Sequence, residues 1–371
     1  MLRGLGVEIE GDGRPSFRIQ GTALREPADV LNTGNSGTTT RLMAGVLAGQ
    51  PFLTVVTGDK SIRSRPMARV LQPLRLMGAQ VDGRDGGKLA PLVFQGGSLK
   101  GIRYTLPVAS AQVKSALLLA GLFADGETVL DQPALSRDHT ELMFRAMGVD
   151  VREQGLTVSV RPGGLKAQDV IVPADISSAA YWLIAGVCHP DAEVRVQGVG
   201  VNPSRTGILD ALRTMGADVR VENERTQGGE EVADLVARSS ELRAGEFGGE
   251  LIPRLVDEVP VLALAACFAK GTTIIRDAAE LRVKESDRLT ATAKELSRLG
   301  AKIEELPDGL RITGGAKLTG ASGRSYRDHR IAMTLGIAGL LVSGETKISG
   351  AECASVSYPS FWQELDTLRG K

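Results

Sequence analysis

The phrase LRTMGADVR, residues 212–220, decides the fold because close variants of it recur along the chain. The variants lie 68 to 84 residues apart, a period typical of repeated supersecondary units. Each phrase predicts the end of a helix, a left-handed glycine after it, and then a strand. The five phrases have their glycines at Gly6, Gly78, Gly148, Gly216 and Gly300.

The sequence on either side of each phrase completes a larger repeating unit. A helix and a strand are predicted ahead of it, and a turn and second strand follow, as in VDVREQGLTVSVRPGG, residues 149–164, which is a hairpin signature. The unit is therefore β-α-β-α-β-β. We expect an α/β (α+β) fold of two domains, 1–172 and 173–371, divided at the strand end before PADISSAAYW. Because the first phrase starts at Leu2, we expect six units with the first shortened at its front.

Composition excludes several function classes. Lys and Arg number 44, as do Asp and Glu, so no net field favours nucleic acid or an anionic membrane. The apolar runs 116–123 and 260–268 are too short to span a bilayer. Three scattered cysteines and three histidines fit neither a disulfide framework nor a metal centre. We expect a cytoplasmic enzyme without metal or cofactor.

The stretch ELRVKESDRL, residues 280–289, is a candidate for chemistry. On a helix, Lys284 and Arg288 would share one face, and Glu285 would lie on the neighbouring stripe. One carboxylate between two cations suits proton transfer at a carbon atom beside a bound anion. A solvated, salt-bridged helix face is the alternative interpretation of the same residues.

Six further polar stretches stand where a helix is predicted to begin. Free N–H groups at helix starts bind anions, and hydroxyl and amide donors beside cations suit a phosphorylated, polyhydroxylated substrate. We expect such helix starts to converge on one site, although simple capping or solvation remains open for each. The candidates are Gly37, Arg65, Ser110 with Gln112 and Lys114, Ser136 with Arg137, Asp257 with Glu258, and His329 with Arg330.

Seven motifs occur along the chain in the order GNSGTTTR, GDKSIRSRPM, ASAQVKSALL, SRDHTE, LVDEVP, ELRVKESDRL and DHRIAM. Together they resemble the 5-enolpyruvylshikimate-3-phosphate synthase family, and RVKESDRL with DHRIAM is the most specific part. The resemblance covers the chain from Leu2 onward. It implies a two-domain enolpyruvyltransferase fold with three repeats per domain. It also implies transfer of the enolpyruvyl group of phosphoenolpyruvate to the 5-hydroxyl of shikimate 3-phosphate, with release of phosphate, in the shikimate pathway to aromatic amino acids.

The same resemblance implies roles for individual residues. Asp257 would accept the hydroxyl proton, and Glu285 would protonate the methylene carbon and later remove a proton from it. Phosphoenolpyruvate would be held by Gly37, Arg65, Gln112, Arg288 and Arg330. Shikimate 3-phosphate would be held by Ser110, Gln112, Ser136, Arg137, Asp257 and Lys284.

The sequence also departs from the family pattern. Family members begin with a PGDKS-type segment that contacts both substrates, and nothing before Leu2 supplies it. We therefore expect a truncated member with impaired activity unless another chain supplies the segment. One alternative is a non-catalytic member that binds ligand or a partner chain. A second is a UDP-N-acetylglucosamine enolpyruvyltransferase, which is disfavoured because no cysteine lies among the motifs between Arg65 and Ser110. A monomer is expected.

Overall fold

The computed structural model describes residues 1–11 and 16–368. The chain divides into two compact units, Met1–Val170 and Ile171–Lys371, hereafter unit 1 and unit 2. Each unit has its own apolar core. Unit 1 ends at Val170, whereas the sequence analysis places a domain boundary after residue 172.

Unit 1 contains two sheets of the same design. In each, two parallel strands are connected through a helix, and an antiparallel hairpin extends the sheet from the second strand. The strands are β1 (Glu8–Glu10), β2 (Arg18–Gln20), β3 (Leu31–Asn32), β4 (Thr54–Thr57), β5 (Val81–Gly83), β6 (Leu89–Phe94), β7 (Leu99–Lys100), β8 (Arg103–Thr105), β9 (Ala124–Asp125), β10 (Thr128–Asp131), β11 (Val151–Gln154) and β12 (Thr157–Val160). The helices are α1 (Gly37–Ala48), α2 (Ala68–Leu76), α3 (Arg84–Gly87), α4 (Ala111–Gly121) and α5 (His139–Ala146).

These elements follow the predicted β-α-β-α-β-β order. The first complete sheet has the strand order β3-β4-β6-β5 and the second the order β8-β10-β12-β11. In chain order the first repeat is β3, α1, β4, α2, β5 and β6, apart from the single turn α3 inside the hairpin. The apolar faces of α1 and α4 pack into the core of unit 1 through residues such as Leu47 and Leu117, which are almost fully buried.

Unit 2 repeats the design once in full, in a sheet of order β16-β17-β19-β18, beside a three-stranded sheet β13-β15-β14 and the parallel pair β20-β21. The strands are β13 (Glu193–Gly200), β14 (Asp218–Gln227), β15 (Glu230–Arg238), β16 (Glu246–Phe247), β17 (Thr272–Ile275), β18 (Lys302–Leu306), β19 (Gly309–Thr313), β20 (Ser322–Arg324) and β21 (Lys347–Ser349). The helices are α6 (Ile176–Cys188), α7 (Gly207–Thr214), α8 (Ile252–Leu255), α9 (Val259–Phe268), α10 (Arg288–Arg298), α11 (His329–Leu341) and α12 (Phe361–Leu368).

The predicted glycine caps are confirmed at all five phrases. Their φ angles lie between 80° and 98°, a left-handed conformation that glycine adopts without a steric penalty. At Gly216, for example, the backbone N–H donates to the Arg213 carbonyl at 2.9 Å and so closes the end of α7. The cap turns the chain directly into the next strand, which keeps helix and strand packed as a unit.

Three helices form the core of unit 2 that positions the candidate site. Helices α6, α9 and α11 are apolar on most of their surface and are buried in one cluster. A helix that is apolar all round belongs inside a core. Their first residues therefore have fixed positions, which matters because candidate site residues stand there. In the described residues, no helix is long and apolar enough to cross a membrane.

Candidate active site

The centre of the polar cluster in unit 2 is Arg288, whose side chain is only 2% exposed. Its guanidinium donates from Nε to Asp328 Oδ2 at 2.9 Å and from Nη1 to Asp257 Oδ1 at 3.1 Å. A third bond runs from Nη2 to Glu285 Oε2 at 2.6 Å. Burial opposes the charged form of Arg288, but the three carboxylates outweigh it and raise the pKa of the guanidinium.

The prediction that residues 284–288 lie on one helix is wrong. Lys284 has an extended backbone after the 3₁₀ helix Ala279–Val283, and α10 begins at Arg288. Asp287 precedes it with φ −70° and ψ 93°, and its carboxylate accepts a hydrogen bond from the Thr290 N–H at 3.1 Å. Aspartate favours this capping position over a helix interior. Glu285 lies in the bend ahead of the cap and nevertheless accepts a hydrogen bond from Arg288.

Asp257 interacts with a second cation besides Arg288. It lies in the 3₁₀ turn Val256–Glu258, just ahead of α9. Lys284 Nζ is 4.0 Å from Asp257 Oδ1 and 3.3 Å from Glu280 Oε1. The structure thus brings together the three residues of the KESDR motif that the sequence singled out, and adds Asp257 from a distant part of the chain.

Asp328 caps α11 and orients the start of that helix. Its Oδ1 accepts from the Arg330 N–H at 2.9 Å, and the whole residue is buried. Arg330 Nε is buried without a hydrogen-bond partner among the residues that the structure describes. Burial opposes the charge of Arg330, but several nearby groups, with Asp257 the largest contributor, raise the pKa of its guanidinium. Burial, with Arg330 next to it, lowers the pKa of His329 to about 4, so this imidazole is neutral at pH 7.

Glu258 lies next to Asp257 in sequence but belongs to a separate buried network. The Ser177 hydroxyl donates to Glu258 Oε1, and Arg205 Nη2 donates to Ser177 Oγ at 2.7 Å and to Asp175 Oδ1 at 2.9 Å. Burial raises the pKa of Glu258 against the opposing charge of Arg330. Glu258, the residue directly before α9, makes no side-chain capping bond, so simple helix capping does not account for this carboxylate.

The polar cluster in unit 1 is built at the starts of α1 and α4. Gln112 connects the two helices: its Nε2 donates to Thr38 Oγ1 at 2.9 Å, and its Oε1 accepts from Arg41 Nη1 at 2.6 Å. A Cβ at Gly37 would lie 2.8 Å from Arg65 Nη1. Glycine at this position therefore lets a guanidinium approach the free N–H groups of the helix start, which favours anion binding there.

The remaining candidates of unit 1 lie around the loop before α5. Ser110 caps α4 and accepts from the Val113 N–H at 3.5 Å. Lys114 Nζ lies 2.6 Å from Glu141 Oε1 and donates to the Ser136 carbonyl at 3.3 Å. Ser136 Oγ donates to Gln132 Oε1 at 2.7 Å. Arg137 follows in the same loop and is half-buried. Ser136 is thus tied to α4, the helix that Ser110 caps.

Sequence reasoning missed two site residues. Asp328 accepts from Arg288, and Arg41 holds Gln112. An aspartate directly ahead of a predicted helix is a capping signal, and it could have drawn attention to Asp328. Nothing local marks Arg41, which lies inside α1. Among residues 1–11 and 16–368, no group of three His, Cys, Asp or Glu side chains could hold a metal ion.

Comparison with known proteins gives matches over almost the whole chain. The family model of EPSP synthase (3-phosphoshikimate 1-carboxyvinyltransferase) matches residues 1–365. A 3-phosphoshikimate 1-carboxyvinyltransferase from Gloeobacter violaceus is 59% identical over 373 residues, which cover 99% of this chain and 86% of the relative. One from Synechococcus elongatus is 58% identical, covering 100% and 84%.

Solved structures agree. An EPSP synthase from Acinetobacter baumannii has a TM-score of 0.87 and 43% identity, covering 98% of this chain and 85% of that one. The enolpyruvyl transferase NikO from Streptomyces tendae has a TM-score of 0.76 at 22% identity, a likeness of fold alone. The predicted α/β enolpyruvyltransferase-like fold is confirmed, and the chain belongs to the EPSP synthase family.

Proposed function

We propose that this chain transfers the enolpyruvyl group of phosphoenolpyruvate to the 5-hydroxyl of shikimate 3-phosphate and releases phosphate. Family membership supports the reaction class. The observation that carries the mechanism is the pair of carboxylates, Glu285 and Asp257, held by the one buried guanidinium of Arg288. The relatives' names favour this reaction over transfer to UDP-N-acetylglucosamine.

The two carboxylates divide the proton transfers. Asp257 takes the proton of the 5-hydroxyl group while the hydroxyl oxygen forms a bond to the central carbon of phosphoenolpyruvate. Glu285 donates a proton to the methylene carbon, which becomes a methyl group in a tetrahedral intermediate. Glu285 then removes a methyl proton, the carbon–carbon double bond re-forms, and the bond to the phosphate oxygen breaks. Phosphate leaves with the proton that the hydroxyl lost, so protons balance. Proton transfer of this kind needs acid and base within hydrogen-bond reach.

The arginines are proposed as the anion-binding groups. Gly37, Arg65, Gln112, Arg288 and Arg330 would hold phosphoenolpyruvate, because a guanidinium fork matches carboxylate and phosphate geometry. The buried, unpartnered Nε of Arg330 supports its part in this assignment.

Shikimate 3-phosphate is assigned to a second set of groups. These are hydroxyl, amide and cationic donors together with the base: Ser110, Gln112, Ser136, Arg137, Lys284 and Asp257. The proposal extends to a cytoplasmic monomer. It also includes that the protein binds no nucleic acid, which the equal numbers of acidic and basic residues support.

Phosphate release tests the proposal. The wild-type chain should release phosphate from phosphoenolpyruvate only when shikimate 3-phosphate is present. Glu285→Gln keeps the size of the side chain and removes the titratable acid, and we expect its kcat to fall by about 10²- to 10⁴-fold. Glu280→Gln, an exposed carboxylate on the same segment, is the matched control and should keep near-wild-type kcat. A folded wild-type chain without shikimate-dependent release would overturn the proposal.

A further inference from the structure

Two consecutive residues just ahead of α11 have left-handed backbone conformations. The φ angles of Tyr326 and Arg327 are 56° and 58°. Residues with a Cβ rarely adopt this region because Cβ crowds the backbone, and neither is an asparagine or aspartate, which tolerate it better. Such a conformation persists only where the surroundings hold it. This turn, Tyr326 with Arg327, therefore needs an account of what holds it.

One side of the turn is held by α10. The Tyr326 hydroxyl donates to Glu295 Oε1 at 2.7 Å. Glu295 is 1% exposed, and its Oε2 accepts from the Arg324 N–H at 2.9 Å. Burial and the hydrogen bond to this carboxylate raise the pKa of Tyr326, so its hydroxyl remains a donor. The carboxylate thus fixes both the tyrosine ring and the strand residue before it.

The other side of the turn is held by Ser325. Its hydroxyl accepts from the Arg327 N–H at 3.1 Å and donates to the Gly350 carbonyl at 2.9 Å. The Asp328 N–H donates to the Ser325 carbonyl at 2.9 Å and closes the turn. Tyr326 itself is 41% exposed, so among the described residues the hydroxyl–carboxylate bond to Glu295 is the main polar restraint on its side chain.

The residue directly after the turn is Asp328. Fully buried, it accepts from Arg288 Nε at 2.9 Å and from the Ser286 hydroxyl at 3.0 Å, and it caps the helix that carries Arg330. A relaxed turn with negative φ would point the chain elsewhere and move this carboxylate. The conformation of two exposed residues therefore determines where the site arginines lie.

We propose that Tyr326 is a positioning residue: its bond to Glu295 keeps the strained turn in the form that places Asp328 against Arg288. The tyrosine touches no reacting group in this account. Its effect on turnover rests on the proposed function, whereas its effect on Arg288 does not.

The first test is therefore independent of activity. In the full-length chain labelled with ¹⁵N, the Nε–H signal of Arg288 is assigned by its loss in Arg288→Lys. Buried and bonded to Asp328, it should exchange slowly with solvent. In Tyr326→Phe, we expect this signal to shift and to exchange faster, on the order of tenfold. An unchanged signal would overturn the proposal, even if the variant lost thermal stability.

Two further variants separate positioning from a general loss of packing. Tyr358→Phe removes another tyrosine–glutamate bond in unit 2, to Glu364, and should leave the Arg288 signal unchanged. Tyr326→Phe combined with Arg327→Gly should partly recover the wild-type signal, because glycine removes the steric cost of positive φ at one of the two positions. A change in Tyr358→Phe equal to that in Tyr326→Phe, or no recovery in the double variant, would contradict the proposal.

Kinetics give a second readout. Tyr326→Phe should raise KM for phosphoenolpyruvate by about fivefold, more than KM for shikimate 3-phosphate, and should also lower kcat, because Arg288 holds Glu285 and Asp257. Arg327→Gly should partly reverse this effect in the double variant. An equal rise in both KM values would overturn the proposed link to Arg288. If the wild-type chain shows no turnover, the proposed function fails, and the Arg288 signal still decides the role of Tyr326.

Discussion

At the residue scale, Arg288 explains why several acids can be buried together. Asp328 is fully buried and Glu285 and Asp257 are largely so, with side chains 17% exposed. Burying several carboxylates without an opposing charge would carry a large desolvation cost. One guanidinium donates to all three, which reduces this cost and fixes the directions of the carboxylates. A planar fork can do this, whereas an ammonium group acts as a point charge.

Arg288→Lys should therefore cost activity although it keeps the charge. It loses at least one charge-assisted hydrogen bond, worth about 1.5–3 kcal/mol. We expect kcat/KM to fall by about 10- to 150-fold in steady-state phosphate-release assays. Arg311→Lys, in a half-exposed pair with Glu304, is the control and should stay within about twofold. Full activity of Arg288→Lys would show that the fork is unnecessary.

The buried His329 should make unit 2 sensitive to mild acid. Its pKa in the folded chain, about 4, lies below the ordinary value of 6.5. Its contribution to stability is therefore fully present above pH 6.5 and is lost as the pH falls towards 4. Between pH 7 and pH 5, we expect His329 to cost wild type about 2 kcal/mol of unfolding free energy.

Urea unfolding measures this loss selectively. Both tryptophans, Trp182 and Trp362, lie in unit 2, so their fluorescence reports that unit alone. His329→Gln should lose about 2 kcal/mol less than wild type over the same pH range. Equal losses in the two proteins would mean that another group causes the pH dependence.

At the scale of elements, the polar clusters lie at the starts of helices, but the exact first residues of those helices were not predictable. The residue spacing of the motif KESDR fits a helix. The Asp287 carboxylate nevertheless accepts a hydrogen bond from the Thr290 N–H, and α10 begins one residue after Asp287, at Arg288. The start of α10 depends on whether the Asp287 side chain caps the helix or lies inside it, and residue spacing alone does not predict which of the two occurs. The contact of α10 with Asp328, 40 residues away, depends on packing that no local pattern encodes.

The pairing of α4 with α5 should depend on a buried ion pair. Lys114 and Glu141 are 2% and 1% exposed, and burial raises the pKa of Glu141 although Lys114 opposes this. Glu141→Gln leaves an uncompensated buried charge, and we expect it to destabilise unit 1 by about 3–5 kcal/mol. Lys114→Met with Glu141→Leu should regain most of this loss, since two apolar groups need no partner.

Hydrogen exchange resolved to unit 1 would measure these changes. Asp150→Asn, which removes an exposed partner of Arg152 in the same unit, is the control and should cost less than about 1 kcal/mol. A similarly small cost for Glu141→Gln would show that the pair is dispensable for packing.

At the scale of the whole molecule, the repeated phrase was sufficient to predict the architecture. Gly148, for example, marks a helix end and the strand after it in one position, and its left-handed φ of 80° needs glycine. The repeated phrase therefore predicts both the local connection from helix to strand and the order of elements along the whole chain. What it could not predict were the contacts between repeats, such as Arg288 with Asp328 or Gln112 with Thr38. Those contacts depend on side-chain directions in a packed core, which periodicity leaves open.

The most direct test of the central claim is isotope incorporation at carbon. The reaction is run in D₂O with phosphoenolpyruvate and shikimate 3-phosphate, and the enolpyruvyl methylene of the product is examined by mass spectrometry. If Glu285 delivers a solvent-derived deuteron and then removes a hydrogen from the methyl group, more than about half of the product should carry one deuterium, because protium is lost more readily. Product formed at the wild-type rate without deuterium would contradict proton transfer at this carbon and the role given to Glu285.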